Sequence, residues 1–179
     1  MKKVLVTLIA LSLPTFALAD ATKGFYVQAD AGHATVKGDA SVKGFSPRIT
    51  AGYDFGDFRV AADYTHYKSK KINTSLVDSE AKYHSAGVSA IYDFDLQAPV
   101  KPYVGVRVAV NHASTKVETA NSYYERKETK TGIGAMAGVS YEVTPNVALD
   151  AGYRYNYWGK FDETKIHTHE VSAGVRVTF

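Results

Sequence analysis

Cysteine is absent from the 179 residues, which excludes a disulfide framework, a thiolate metal site, a cysteine nucleophile and a lipid-modified N-terminal cysteine. Long apolar runs are absent too, whereas each membrane helix would need about twenty consecutive apolar residues. The mean hydropathy of −0.19 agrees. Neither deficit touches a membrane β-barrel, whose strands place apolar residues only at every second position. No helical apolar stripe, phosphate-binding loop, spaced carboxylate dyad or nucleic-acid motif occurs. No cofactor and no nucleic-acid partner is therefore expected.

What is present begins with Lys2 and Lys3, an apolar run from Val4 to Leu13, Pro14, and then Ala17, Leu18 and Ala19. A positive start, a short apolar core and a small-x-small site read as a secretory signal peptide over residues 1–19. Its removal would leave residues 20–179 with 19 basic and 18 acidic residues, a charge of +1.

Within 20–179, period-2 alternation recurs in eight segments: 24–33, 46–55, 58–67, 83–94, 102–112, 131–143, 147–158 and 169–179. In the clearest, Val104, Val106, Val108 and Val110 oppose Gly105, Arg107, Ala109 and Asn111. Short connections (56–57, 95–101, 144–146) alternate with long polar ones (34–45, 68–82, 113–130, 159–168). Segments of about ten residues, with short turns on one side and long loops on the other, predict an all-β fold. Specifically, they predict an eight-stranded antiparallel transmembrane β-barrel whose four long loops are extracellular.

A soluble β-sandwich also alternates, but the charges argue against it. Arg48, Arg59, Arg107, Arg154 and Arg176 all fall on the polar face, with Asp30, Asp54, Asp63, Asp93, Glu142 and Asp150. None of the 13 lysines of residues 20–179 falls in the eight segments. Bidentate arginine suits enclosed ion pairs and flexible lysine suits solvated loops. Interior ion pairs are therefore expected among Arg48, Arg59, Arg107, Arg154, Arg176, Asp30, Asp63, Glu142 and Asp150. Aromatics gather at both strand ends, as two interfacial girdles would require: Phe25, Tyr53, Phe55, Phe58, Tyr92, Phe94, Tyr103, Tyr141 and Phe179 at one, Tyr64, Tyr67, Tyr155, Tyr157 and Trp158 at the other. Ala-Gly pairs at 51–52, 86–87, 137–138, 151–152 and 173–174 put glycine on the inner face, where it makes room beside arginine.

Several stretches resemble the opacity protein family of outer-membrane barrels, the opacity family porins. They include residues 24–30 (GFYVQAD), 44–49 (GFSPRI), 90–95 (AIYDFD), 100–103 (VKPY), 143–147 (VTPNV), 149–157 (LDAGYRYNY) and the end, 172–179 (SAGVRVTF). The resemblance implies an eight-stranded barrel in the bacterial outer membrane, with the terminal Phe179 read by the barrel assembly machinery. It also implies adhesins that grip host receptors through long loops, or short-loop members associated with binding a host complement regulator. The second and third loops here are closer to the short-loop type.

The long loops carry 12 basic and eight acidic residues on a chain of charge +1 once the signal is removed. That excess suits anionic partners: lipopolysaccharide phosphates, sulfated or sialylated host glycans, or an acidic host-protein patch. Lys70, Lys71, Tyr123, Tyr124, Arg126 and Lys127 are the candidate contacts. The function expected is a monomeric cell-surface protein acting in adhesion or immune evasion. A membrane-stabilising barrel without a ligand is the alternative. His112, Ser114 and Glu118 share a parity that a lipid A hydrolase could use, though His-x-Ser arises readily by chance, and no enzyme is expected. His167 and His169 share a strand face and could hold a metal only with neighbours; interfacial polar residues are the simpler reading, and no metal site is assigned.

Overall fold

The computed structural model describes residues 23–37, 41–67, 72–74, 77–119, 122–161 and 164–179, with the side chains of the outermost hairpin residues excepted. The signal segment 1–19 lies outside the described residues. Ten strands run in chain order: β1 (Gly24–Lys37), β2 (Ser41–Phe45), β3 (Arg48–Asp54), β4 (Phe58–Tyr67), β5 (Ile72–Thr74), β6 (Val77–Asp93), β7 (Val100–Thr119), β8 (Ser122–Thr144), β9 (Val147–Phe161) and β10 (Thr164–Thr178). All neighbours pair antiparallel, and β10 pairs with β1 to close the sheet on itself.

The ten strands make eight staves. Both β2 and β3 pair with β1, and both β4 and β5 pair with β6. The β2–β3 break falls at Ser46 and Pro47, where proline has no N–H to give to the ladder. Ser46 N still donates to Gly32 O at 2.8 Å, and Pro47 O accepts from His66 N at 3.0 Å, so the stave stays attached on both sides. At the short-turn end, Gly56 takes a φ of +108°, a conformation that favours glycine, and its N–H donates to Asp54 Oδ1 at 2.8 Å.

The outward face of each stave is apolar. Ile49 is 69% exposed, Val106 64%, Val171 63% and Ile133 62%, while inward Arg59 is 2% exposed and Arg107 1%. A soluble fold would invert that distribution; only a lipid solvent makes it favourable. The chain is an eight-stranded transmembrane β-barrel with a charged interior.

Two sequence expectations need correction. The sequence pattern reads the segments 34–45, 68–82, 113–130 and 159–168 as connections, yet strand pairing continues into all four, as in Val36↔Val42, Val77↔Thr119, Thr119↔Ser122 and Lys165↔Lys160. β6, β7 and β8 reach 17, 20 and 23 residues, well beyond the nine to eleven or so that span lipid. Beyond the lipid both faces of a ribbon meet water, so hydropathy alternation fades while backbone pairing continues. Secondly, Tyr103, Tyr67 and Trp158 do not belong to the girdles. They share the strand parity of Arg107, Asp63 and Arg154, and their rings turn inward; Tyr67 is 4% and Trp158 1% exposed. Height along a strand does not settle the side on which a ring lies.

Candidate functional site

The barrel lumen holds two ion-pair networks, one above the other. In the upper one, Arg107 grips Asp63 through two hydrogen bonds, Nε to Oδ2 at 2.8 Å and Nη2 to Oδ1 at 2.7 Å. Arg154 bridges Asp63 (3.3 Å) and Glu170 (3.0 Å). Arg48 joins Glu170 (2.5 Å) to Asp30 (3.0 Å), and its Nη2 donates to Ser172. Three guanidinium groups thus meet three carboxylates, each contact charge-assisted and sheltered from water.

In the lower network, Arg59 holds Asp93 through two hydrogen bonds of 2.6 and 2.7 Å. Arg176 contacts Asp54 at 3.0 Å and Ser140 at 2.7 Å. Asp150 lies between them, 3.9 Å from Arg59 and 3.4 Å from Arg176. The Tyr26 ring lies between the same two arginines, with guanidinium carbons 5.9 and 5.7 Å from its centroid, and Tyr103 adds a second aromatic face 5.2 Å from Arg59. Between the networks remains a cavity of about 40 Å³ lined by groups including Arg48, Asp63, Tyr103 and Asp150, enough for a few waters and too small for an ion pathway.

Above both networks Trp158 and Tyr67 pack with ring centroids 5.5 Å apart, with Ala34, Tyr83 and Ile166 around them. This aromatic layer caps the ion-pair networks on the side of the long hairpins.

Glu142 departs from its expected interior place. It lies at the short-turn rim, half-exposed, with Lys101 Nζ 2.7 Å away, because it stands two residues from the end of β8, where the register shifts between Glu142 and Thr144. Glu170 was missed, although it shares the parity of Ser172, Gly174 and Arg176 and is fully buried between two arginines. Tyr26, on the parity of Gln28 and Asp30, was missed in the same way. Glycine makes room at Gly87, where a Cβ would come within 2.7 Å of the Arg107 guanidinium; at Gly138 and Gly152 the room serves the Tyr103 hydroxyl instead.

Lys70 and Lys71 lie outside the described residues. Tyr123, Tyr124, Arg126 and Lys127 lie in the outer part of β8, opposite Glu118, Val117, Thr115 and Ser114 of β7. Backbone alternation puts positions 124 and 126 on one face of that ribbon and 123 and 127 on the other. The four positions thus lie within one β7–β8 hairpin. His112 Nδ1 lies 2.9 Å from Thr129 Oγ1, across the strand pair from β7 to β8. Glu118 contributes no described side chain to compare with Ser114. His167 and His169 lie against Tyr155 with tilted rings, and Tyr153 meets His169 Nδ1 at 2.5 Å; no metal-competent group of three ligands occurs among the described residues.

Comparison with known proteins adds four findings. Residues 51–179 match the family described as Opacity family porin protein. Opacity protein opA58 of Neisseria gonorrhoeae is 35% identical over 184 residues, covering 74% of this chain and 71% of that protein. Among solved structures, Neisserial surface protein A superposes with a TM-score of 0.75 at 54% identity, over 87% of this chain and 97% of the other. Ail, the attachment invasion locus protein of Yersinia pestis, solved with the heparin analogue sucrose octasulfate, shares the fold at a TM-score of 0.63 and 21% identity, over 86% and 98%.

Proposed function

The chain belongs to the opacity porin family of outer-membrane barrels, and from that premise we propose that it is a non-enzymatic surface protein whose extracellular hairpins bind an anionic host glycan or an acidic face of a host protein. The observation that carries this reading is the separation of charge. Arginines and carboxylates of the lumen are spent on each other, whereas lysines gather in the hairpins that strand pairing lifts beyond the lipid. A solvated cationic surface on a rigid base raises the local concentration of polyanions and speeds encounter. Lys70, Lys71, Tyr123, Tyr124, Arg126 and Lys127 are the proposed contacts, the basic groups supplying charge and the tyrosines amphipathic contact area. The complex of Ail with a heparin analogue supports the reading in one respect: in that protein, a barrel of this fold has a partner of that chemistry.

The protein acts as a monomer in this proposal, since one chain closes its own sheet. The filled lumen makes it a platform despite the porin name. Deleting or exchanging residues 68–82 and 113–130 and measuring binding of whole cells to heparin, sialylated glycans and serum proteins tests the proposal. Loss of binding with an intact barrel is expected. Unchanged binding to every ligand would favour a membrane-stabilising barrel.

A further inference from the structure

Two histidines meet across a strand pair on the outer wall, away from every group the glycan-binding proposal uses. His66 of β4 is the register partner of His84 of β6. Both share the outward parity of exposed Tyr64 and Val88. The His66 N–H donates to Pro47 O on the β3 side at 3.0 Å, so its backbone points away from β6. Facing β6, His66 therefore sits at a position without ladder bonds. Such pairs bring their Cα atoms to about 4.5 Å and their side chains closest together.

The two rings converge. Nδ1 of His66 lies 3.1 Å from Nδ1 of His84, while the ring centroids are 4.7 Å apart, so both nitrogens turn toward the gap between the rings. Metal–nitrogen bonds of about 2.0–2.1 Å closing that gap on one ion meet at an angle of about 100°. That angle lies between the right angle of a tetragonal ion and the wider one of a tetrahedral ion. The spacing holds whichever ring nitrogen carries the proton; a bound ion takes the lone pair of each Nδ1 and leaves the proton on Nε2. Tyr64 Oη lies 2.7 Å from the same His84 nitrogen, close enough to stand as an adjacent ligand on that ion. No group of three histidine or carboxylate ligands forms among the described residues, so the remaining positions on the ion are open to water.

We propose that His66 Nδ1 and His84 Nδ1, with Tyr64 Oη beside them, bind one divalent transition ion of the class that imidazole selects: copper, nickel or zinc. Magnesium and calcium seek shells of oxygen and do not suit two imidazoles. The bound ion clasps β4 to β6 near their outer ends. Its ligands are 18 residues apart and meet only through strand register, so the ion binds the folded barrel and stabilises it by mass action. The site lies on the barrel wall, so its failure would leave the hairpin proposal standing.

The test uses the folded barrel without an affinity tag, in detergent micelles, titrated with Cu²⁺ and followed by electron paramagnetic resonance. A single tight site is expected, with hyperfine splitting from two imidazole nitrogens, and an excess of Mg²⁺ or Ca²⁺ is expected to leave it occupied. His66→Asn and His84→Asn are each expected to weaken binding about tenfold or more and to leave one nitrogen on the ion, because the second contact no longer closes within one molecule. Tyr64→Phe is expected to weaken binding less than either and to keep both nitrogens. His167→Asn with His169→Asn, which alters the other outward histidine pair, is expected to bind as the wild type does. Folding is checked by the mobility shift between boiled and unboiled samples, and His66→Gln or His84→Gln replaces an asparagine variant that does not fold. No binding, a two-nitrogen signal that survives in the His66 and His84 variants, or one lost with His167 and His169 would overturn the proposal.

Discussion

Arg107 and Asp63 meet across the barrel lumen in a two-pronged contact, 2.8 and 2.7 Å, from strands that are separated by a whole intervening stave. Arg154 leans on the same carboxylate at 3.3 Å, so Asp63 is shared by two guanidinium groups. Removing one partner of such a buried pair leaves charge without compensation, which is costlier than the pair's net contribution. Asp63→Asn is expected to destabilise the barrel by about 3–5 kcal/mol, read from urea unfolding in micelles. Adding Arg107→Gln should restore part of that loss, and a fully additive double variant would show that the two residues are not coupled.

Gly87 is where the sheet yields space to that arginine. Gly87→Ala drives a methyl to within 2.7 Å of a guanidinium held at both prongs, so the neighbour cannot swing away without breaking its contacts. A loss of about 1–3 kcal/mol is expected. Unfolding at the wild-type urea concentration would contradict the close approach.

The outward valines predict the opposite sensitivity to charge from that of a soluble protein. Val106→Arg, at a 64% exposed position, is expected to cost about 2–4 kcal/mol in a bilayer because the site faces hydrocarbon. A neutral effect would mean that the position lies in water.

Among the described residues, two networks, the Tyr26 ring between two arginines, the Tyr103 ring against Arg59 and the Trp158–Tyr67 layer leave no aqueous channel. Planar-bilayer recordings of the refolded barrel are expected to show no steady large conductance. Trp158→Ala is expected to remove about 3–5 kcal/mol of stability without opening a conducting path, since both ionic layers remain beneath it. Sustained large conductance from the wild type would contradict the filled lumen.

Strand parity made the inward arginines legible from sequence, because a side chain's face is set by local alternation alone. Their partners are another matter. Arg48 reaches Glu170, 122 residues away, only because barrel closure brings β10 beside β1, and no local pattern encodes that register. Glu170 itself could have been found by extending the parity of Ser172, Gly174 and Arg176 one step outward. For Tyr103, Tyr67 and Trp158, height along the strand points to a girdle, but it does not set the face on which a ring lies. The paired hairpins are not legible in the sequence because the alternation signal needs lipid on one side, and they rise beyond it.

Binding of the folded barrel to immobilised heparin across a sodium chloride series tests the attachment proposal most directly. Affinity is expected to fall at least tenfold between 50 mM and 300 mM salt, and to fall similarly at low salt when Lys70, Lys71, Arg126 and Lys127 are changed to glutamine. Binding that ignored both ionic strength and those four substitutions would contradict an electrostatic hairpin surface.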